Sequence, residues 1–187
     1  MIDLGGYDGD TVRQWITESQ GQFDQILTLE PDIKNFRKMQ RKMEGWDLSK
    51  VICVNAAAHR EKGILTFSVR GGRNSALLGA GGLTGGKTVA VPAESVDGLL
   101  EGRTAALIKM DVEGNEAEAL QGAKEVIFRD HPPLMISAYH RSEDLFALPL
   151  LTEKLSQGGY RYYLRHHQYI PAWETNYYVI PEHAPYR

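Results

Sequence analysis

Short strand-like segments alternate with helix-like segments along almost the whole chain of 187 residues. The segment 105–112 (AALIKMDV) is a nearly continuous apolar run, as is typical of a central parallel strand. Helical periodicity is clearest over 32–45, where Asp32 is a favourable N-cap, and over 115–129. Strands separated by helices of this length need crossover connections, so the alternation predicts a doubly wound α/β fold with a mostly parallel sheet.

The remaining segments complete this prediction. Further strands are expected over 25–30, 51–55, 134–139, 160–165 and 175–180, a further helix over 143–157, and β-rich segments over 63–69 and 87–91. The connection between the last two strands is too short for a parallel crossover and has no helical pattern, so these strands are predicted to form an antiparallel hairpin at the sheet edge. The stretch 70–87 contains seven glycines. It is either a mobile surface loop or a loop that faces the substrate.

Composition narrows the possible functions. A hydrophobic content of 42% and a charged content of 24% are ordinary for one globular domain, which we expect to span residues 1–187. The net charge of −3 provides no basic surface for nucleic acid. No apolar run approaches the roughly 20 residues of a membrane span. The single cysteine, Cys53, excludes an internal disulfide. We therefore expect a cytoplasmic protein with a small-molecule partner, and its oligomeric state stays open.

The first eleven residues, MIDLGGYDGDT, form a strand–turn–helix signal. An apolar run ends at Asp3, a glycine-rich turn follows, and a helix then starts, as in nucleotide-binding α/β proteins. The dinucleotide pattern GxGxxG would need glycine where Tyr7 and Asp10 stand. Asp8 and Asp10 flank the helix start and are expected to repel a pyrophosphate, which prefers an electropositive helix start. The turn therefore favours a ligand with a positive charge and a ribose.

Polar residues follow the predicted strands at the edge where open parallel sheets bind their ligands. Glu30 stands 21 residues after Gly9, where a carboxylate can accept both hydroxyls of an adenosine ribose. The alternative is a solvated loop acid. The residues that end the five strands are, in chain order, Asp3, Glu30, Asn55, Asp111 with Glu113, and His140.

Ordered sequence blocks resemble those of one known family. The most specific is IKMDVEGNE over 108–116, followed at a fixed distance by LQGA over 120–123. Others are DLGGYDGDT (3–11), LEPD (29–32), NAA (55–57), YH (139–140), EDL (143–145) and GY (159–160). Together they resemble the FkbM-type methyltransferases, which depend on S-adenosylmethionine, over nearly the whole chain.

This resemblance implies a class I methyltransferase fold, which is Rossmann-like, and methyl transfer to a hydroxyl of a sugar, polysaccharide or natural-product acceptor. It implies that Asp3, Gly5 and Thr11 line the methionine part of S-adenosylmethionine, that Glu30 holds the ribose, and that Asn55 and Ala56 lie near the adenine. Asp111 is expected to face the transferring methyl group and the acceptor. The cofactor-binding residues expected on this basis are Asp3, Gly5, Gly6, Tyr7, Thr11, Glu30, Asn55, Ala56 and Asp111.

Methyl transfer to oxygen also needs a group that accepts the hydroxyl proton. His140 is the first candidate for this base, because an unperturbed histidine titrates near pH 6.5. Its alternative is a capping or structural role. Asp111 is the second candidate, and it could instead orient the acceptor or hold a cation with Glu113. Two carboxylates are a small ligand set, so the sequence predicts no metal site.

Two other functions compete with this prediction. One is a binding or scaffold module that keeps the methyltransferase fold without turnover. The other is an NAD-dependent oxidoreductase, which the missing second glycine disfavours. Family members usually carry residues ahead of the first glycine turn, so the domain is expected to be short at its N-terminus, with a first strand of about four residues.

Overall fold

The computed structural model describes residues 1–44, 48–69, 76–77, 87–167 and 174–183. Within these residues the strands are β1 (Ile2–Leu4), β2 (Ile26–Leu29), β3 (Val51–Val54), β4 (Ala57–Ala58), β5 (Gly63–Val69), β6 (Ala76–Leu77), β7 (Lys87–Glu94), β8 (Ile108–Met110), β9 (Leu134–Ser137), β10 (Tyr160–His166) and β11 (Thr175–Pro181). The helices are α1 (Asp10–Glu18), α2 (Ile33–Met43), α3 (Val96–Leu100), α4 (Glu116–Gln121), α5 (Lys124–Asp130) and α6 (Asp144–Ser156).

Seven strands form the larger sheet, in the order β3-β2-β1-β8-β9-β11-β10. The strands from β3 to β9 are parallel, and Leu4 in the central strand β1 lies opposite both Leu29 and Met110. Strand β11 is antiparallel to both β9 and β10. The predicted doubly wound, mostly parallel sheet with an antiparallel edge hairpin is therefore confirmed.

Apolar side chains cover both faces of this sheet. Along β2, Leu27 and Leu29 belong to the main core cluster, which continues into Leu120 of α4. Ile26 points to the other face and belongs to a second cluster with Met39 of α2. Successive strand residues face opposite sides of a sheet, so both faces of β2 are covered by apolar side chains. A ligand could therefore contact β2 only at its polar carboxyl end.

A second, four-stranded sheet was not predicted. Its order is β4-β7-β5-β6, and the β-rich segments 63–69 and 87–91 pair in it as antiparallel strands. Strand β7 runs beyond the predicted segment, through Pro92 to Glu94. Apart from β6, the glycine-rich stretch between β5 and β7 lies outside the described residues. The two interpretations of this stretch therefore stay open.

The prediction of one continuous helix over 115–129 was wrong. Helix α4 ends at Gln121 and α5 starts at Lys124. A Cβ on Gly122 would lie 2.1 Å from the main-chain oxygen of His59, so a neighbouring loop packs directly on the break. The apolar periodicity continues across Gly122 and favours one helix, although a glycine at this position is also a helix-stop signal.

None of the helices in the described part of the chain combines the length and the apolar character that a membrane crossing needs.

Candidate active site

The glycine turn after β1 is fixed between the two neighbouring strands. The N–H groups of Gly5 and Gly6 both donate to the main-chain oxygen of Leu29, at 3.0 and 2.8 Å. Gly5 has a φ of +86°, and a Cβ there would lie 1.8 Å from the main-chain oxygen of Asp111. A Cβ on Gly6 would lie 2.3 Å from Oγ1 of Thr28. Only glycine fits at both positions, and the turn touches the ends of β2 and β8.

A buried ion pair lies beneath this turn. Nζ of Lys109 is 3.1 Å from Oδ1 of Asp3, and neither side chain is more than 8% exposed. Lys109 also donates to the main-chain oxygen of Gly5 at 3.1 Å, and Thr28 donates to Asp3 at 3.2 Å. Burial lowers the pKa of Lys109, but the negative charges of Asp3 and Asp111 outweigh it and raise that pKa above its usual value. Asp3 is therefore buried beneath the turn. The methionine part of a cofactor would contact the main chain of the turn rather than the Asp3 side chain.

The acids at the start of α1 differ in their surroundings. Asp8 pairs with Lys38 at 3.0 Å and with Lys42 at 2.5 Å. Burial tends to raise the pKa of Asp8, but the two lysines outweigh it and lower that pKa. The two lysines therefore compensate the charge of Asp8, and its expected repulsion of a pyrophosphate stays a prediction. Asp10 is exposed in the first turn of α1, where its Oδ1 accepts a hydrogen bond from the N–H of Thr11 at 2.7 Å.

Glu30 is buried at the end of β2 and connects two loops. Its Oε2 accepts a hydrogen bond from the N–H of Tyr7 in the glycine turn, and its Oε1 accepts one from the N–H of Asp32 at the start of α2, both at 2.8 Å. Burial raises the pKa of Glu30 to about 7, even though these two N–H groups favour the ionised form. The side chain of Asn35 also hydrogen-bonds this carboxylate, and its remaining lone-pair capacity could accept a ligand hydroxyl.

Asn55 at the end of β3 fixes the same loop. Its Nδ2 donates to the main-chain oxygens of Glu30 and Pro31, at 2.8 and 3.1 Å. Ala56, the next residue, is buried. Tyr7, Glu30 and Asn55, three of the residues expected to bind the cofactor, are thus joined by hydrogen bonds across the ends of neighbouring strands.

Asp111 and His140 lie together at the ends of β8 and β9. Oδ1 of Asp111 accepts a hydrogen bond from the hydroxyl of Tyr139 at 3.0 Å. Burial and the nearby Asp111 carboxylate raise the pKa of Tyr139. Nε2 of His140 lies 3.5 Å from Oδ1 of Asp111 and 3.6 Å from Oε2 of Glu113. The two candidate bases predicted from the sequence are therefore neighbours in the structure.

Glu116 is the member of this cluster that the sequence reasoning missed. Its fully buried carboxylate accepts hydrogen bonds from Nδ1 of His140 at 2.8 Å and from the N–H of Val112 at 3.0 Å. Burial tends to lower the pKa of His140, but Glu116, Asp111 and Glu113 together outweigh it and raise that pKa. Glu116 stands five residues after Asp111, in the first turn of the next helix. This short spacing from Asp111 is the feature of the sequence that could have indicated its place in the cluster.

The two groups of residues meet at the glycine turn. Apart from Asp111, the residues expected to bind the cofactor lie at or after the ends of β1, β2 and β3, and the cluster of Asp111, Glu113, Glu116 and His140 lies across the turn beside β8 and β9. The N–H of Asp111 donates to the main-chain oxygen of Leu4 at 3.0 Å, which fixes the two groups relative to each other. A ligand lying over the turn would have one end at Glu30 and the other facing Asp111.

Comparisons with known proteins give one family-model match and several similar solved structures. The model of the methyltransferase FkbM domain matches residues 3–169. Comparison with curated protein sequences gives no match. Among solved structures, a methyltransferase FkbM from Methylobacillus flagellatus KT is similar, with a TM-score of 0.76 and 26% identity, over 96% of this chain and 42% of that one. The chain thus spans about two-fifths of that protein's length.

More distant structures share the fold alone. Fibrillarin from Aeropyrum pernix, in complex with natively bound S-adenosyl-L-methionine, has a TM-score of 0.56 and 13% identity, over 96% of this chain and 65% of that one. SMU.1697c, a putative methyltransferase from Streptococcus mutans in complex with SAH, has a TM-score of 0.55 and 11% identity, over 95% of this chain and 85% of that one. The larger sheet therefore has the fold of class I methyltransferases.

Proposed function

The chain belongs to the FkbM methyltransferase family, and from that we propose that it transfers a methyl group from S-adenosylmethionine to a hydroxyl oxygen of a sugar, polysaccharide or natural-product acceptor. The main support is the placement of the two residue groups on either side of one glycine turn. A Cβ on Gly5 would overlap the main chain of Asp111, so a cofactor lying on the turn would reach the Asp111 cluster directly.

Glu30 is the proposed ribose ligand. Its carboxylate is held by the N–H groups of Tyr7 and Asp32 and by the side chain of Asn35, and the ribose hydroxyls would use its remaining lone-pair capacity. Asn55 and Ala56 would lie near the adenine, at the end of the neighbouring strand.

The remaining predicted contacts concern the methionine part of the cofactor. The main chain of Gly5, Gly6 and Tyr7, with the side chain of Thr11, would surround it. Asp3 would act through the main chain of the turn.

The reaction needs little from the protein beyond positioning and proton removal. The acceptor oxygen forms a bond to the methyl carbon while the carbon–sulfur bond breaks and its electron pair stays on sulfur. The products are a methyl ether, the neutral thioether and one proton. The side chain of Asp111 is 32% exposed, whereas His140 is 10% exposed. This difference favours Asp111 as the residue that contacts the acceptor, with His140 behind it.

Binding and turnover test the proposal separately. Titration calorimetry should detect S-adenosylmethionine binding, and methyl-labelled cofactor should label hydroxyl acceptors in a panel of sugars and natural-product scaffolds. His140→Gln should reduce kcat at least tenfold while the cofactor Kd stays within a few-fold, and Asp111→Asn, which also changes an expected cofactor contact, should reduce kcat at least tenfold. Glu118→Gln is the matched acid-to-amide control, because Glu118 pairs with Arg60 on the outside of α4.

Two outcomes would contradict the proposal. Cofactor binding with no labelling of any acceptor would favour the scaffold alternative. Binding of NADH in place of S-adenosylmethionine would favour the oxidoreductase. The NADH titration is needed because Asp8, one of the two acids expected to repel a pyrophosphate, is compensated by lysines.

A further inference from the structure

Two side chains meet at the same oxygen of Asp111. The hydroxyl of Tyr139 donates to Oδ1 at 3.0 Å, and Nε2 of His140 lies 3.5 Å from that atom. The rings of Tyr139 and His140 also pack against each other, with their centroids 4.2 Å apart. No side chain in the described part of the chain donates to Oδ2 of Asp111. The protein thus holds one oxygen of this carboxylate and leaves the other available to a ligand.

Nε2 of His140 is shielded from a ligand by two carboxylates. The atom is buried and has no hydrogen-bond partner among the described residues. Oδ1 of Asp111 lies 3.5 Å from it and Oε2 of Glu113 lies 3.6 Å from it, and these two side chains are 32% and 50% exposed. An acceptor hydroxyl would therefore meet the carboxylates before it could reach the imidazole.

Glu116 favours the charged form of this imidazole. Its carboxylate is fully buried, and Oε1 accepts from Nδ1 of His140 at 2.8 Å, which lies in the range of charge-assisted hydrogen bonds. A buried carboxylate is costly unless an opposite charge lies beside it. Among the described side chains, only that of His140 hydrogen-bonds to Glu116. The pair is therefore most stable when His140 carries a positive charge.

We propose that Glu116 and His140 are positioning residues and that Asp111 is the base. Glu116 holds His140 as an imidazolium. The imidazolium and the hydroxyl of Tyr139 fix Oδ1 of Asp111, and Oδ2 accepts the proton of the acceptor hydroxyl. Hydrogen bonds at a catalytic site are often long without substrate and shorten in the complex, so the 3.5 Å between His140 and Asp111 is compatible with this role.

Arg141 is a second cation close to this cluster. A Cβ on Gly114 would lie 3.1 Å from its Nε, so the guanidinium lies against the turn that leads to Glu116. The N–H of Arg141 donates to Oδ2 of Asp144 at 3.2 Å. Burial and the charge of Glu116 raise the pKa of Asp144, whereas Arg141 lowers it. The charge of Arg141 is therefore partly compensated by Asp144.

The carboxylates remain in excess when every nearby charge is included. Lys109 also attracts Asp111, but it is already paired with Asp3. Arg141 and a charged His140 thus face four carboxylates, which belong to Asp111, Glu113, Glu116 and Asp144. Like charges favour the protonated form of a carboxyl group and opposite charges favour the ionised form. The charge on His140 therefore keeps Asp111 ionised and able to accept a proton.

The role of Asp111 as base rests on the proposed function, whereas the charge of His140 does not. As the acceptor oxygen bonds to the methyl carbon, its O–H bond breaks and the proton binds Oδ2 of Asp111. The carbon–sulfur bond breaks at the same time, and its electron pair stays on sulfur. Because Asp111 is 32% exposed, its proton can then pass to water.

Nitrogen-15 NMR of the cofactor-free protein tests the charge of His140. The signals of His140, assigned by their loss in His140→Gln, should titrate above the ordinary pKa of about 6.5. Glu116→Gln should lower this pKa by about 1–3 units, the usual effect of one neighbouring charge. Glu113→Gln, at a half-exposed position, should also lower it and tests the same point if Glu116→Gln does not fold. Glu118→Gln, whose carboxylate pairs with Arg60, should leave it unchanged.

The pH dependence of turnover separates the two possible bases. The assay uses S-adenosylmethionine and an acceptor that the labelling panel identifies, both saturating, so that the ionisation of Glu30 does not affect cofactor binding. The value of kcat should fall at least about tenfold as the pH rises through the pKa of His140. His140→Gln should have the lower kcat throughout and lack this alkaline limb. Tyr139→Phe should lower kcat about three- to tenfold while the cofactor Kd stays unchanged.

Three outcomes would contradict the reasoning at different points. A kcat that rises through the pKa of His140 would overturn the proposal and make His140 the base. A pKa of His140 that neither Glu116→Gln nor Glu113→Gln changes would also overturn it. Failure to label any acceptor would overturn the proposed function alone, because the NMR titration needs neither cofactor nor acceptor.

Discussion

The carboxyl group of Glu30 should make the binding of adenosyl ligands depend on pH. Burial raises its pKa to about 7 in the free protein. Ribose hydroxyls that donate to both oxygens would favour the ionised form, so the ligand should bind the deprotonated protein more tightly. Binding should therefore weaken as the pH falls below 7.

The size of the effect follows from this pKa. At pH 7 about half of the Glu30 carboxyls are ionised, and at pH 6 about a tenth are. The Kd should rise about fivefold between pH 7 and pH 6 and about tenfold more at pH 5, while raising the pH from 7 to 9 should improve it only about twofold. At pH 7 each binding event should release about half a proton.

The suitable ligand is 5′-methylthioadenosine, which has the ribose and adenine but lacks the amino group and sulfonium of S-adenosylmethionine. Its own ionisation therefore does not interfere between pH 6 and pH 9. Titration calorimetry gives the Kd at each pH, and repeating it in buffers with different ionisation enthalpies counts the protons released. Glu30→Gln should bind more weakly with no pH dependence in this range, and Glu118→Gln should behave like the parent.

The same group affects the stability of the free protein with a defined sign. Folding raises the pKa of Glu30 from 4.5 to about 7, so its contribution to the free energy of unfolding is full below pH 4.5 and is lost as the pH rises through 7. At about 1.4 kcal/mol per unit, the parent should lose up to about 3 kcal/mol relative to Glu30→Gln between pH 4 and pH 8. If urea unfolding of both proteins followed the same pH course, or if 5′-methylthioadenosine bound more tightly at pH 6 than at pH 8, the role of Glu30 would be wrong.

Two further predictions concern the glycine turn and the ion pair beneath it. Gly5→Ala should cost at least about 2 kcal/mol in urea unfolding and abolish cofactor binding, because its Cβ would lie 1.8 Å from the main chain of Asp111 at a φ of +86°. Gly63→Ala, whose Cβ meets no described atom within 4 Å, should stay within about 0.5 kcal/mol of the parent. Lys109→Met should cost about 3–5 kcal/mol by leaving Asp3 charged and buried, and adding Asp3→Asn should recover part of that loss. Equal instability of the single and double variants would show that the ion pair is not the cause.

The larger sheet could be predicted because its strands are marked by local patterns. The apolar run in 25–30 forms β2. The connection after 160–165 is too short for a parallel crossover, so the strand that follows pairs with β10 in the antiparallel direction. The smaller sheet could not be predicted in the same way, since its strands β5 and β7 are separated by a long glycine-rich stretch. Their pairing depends on contacts between distant residues, which no local pattern in the sequence indicates. The break at Gly122 coincides with a tertiary contact, since the main chain of His59 packs against this glycine.

In the candidate site too, the residues at strand ends could be predicted from local sequence, whereas contacts between distant residues could not. The rule that ligands bind at the carboxyl ends of parallel strands located Glu30, Asn55, Asp111 and His140 from sequence alone. It could not reveal that Lys109, visible only as an interruption in an apolar run, reaches back to Asp3. That contact depends on the register of β1 against β8, which places the two residues opposite each other.

The electrostatic effect of the acidic residues was the hardest property to predict from the sequence, because it depends on which cations lie beside each carboxylate. Asp8 was expected to repel anions, yet Lys38 and Lys42 of α2 compensate it from one helical turn apart. The opposite happens beside β8, where Glu116 adds a third buried or half-buried carboxylate and one imidazole faces all three. The charge of Asp8 is therefore compensated within the fold, whereas the carboxylates beside β8 share one imidazole. The acids at the helix start thus disfavour a dinucleotide less than the sequence suggested, because one of the two is paired with cations.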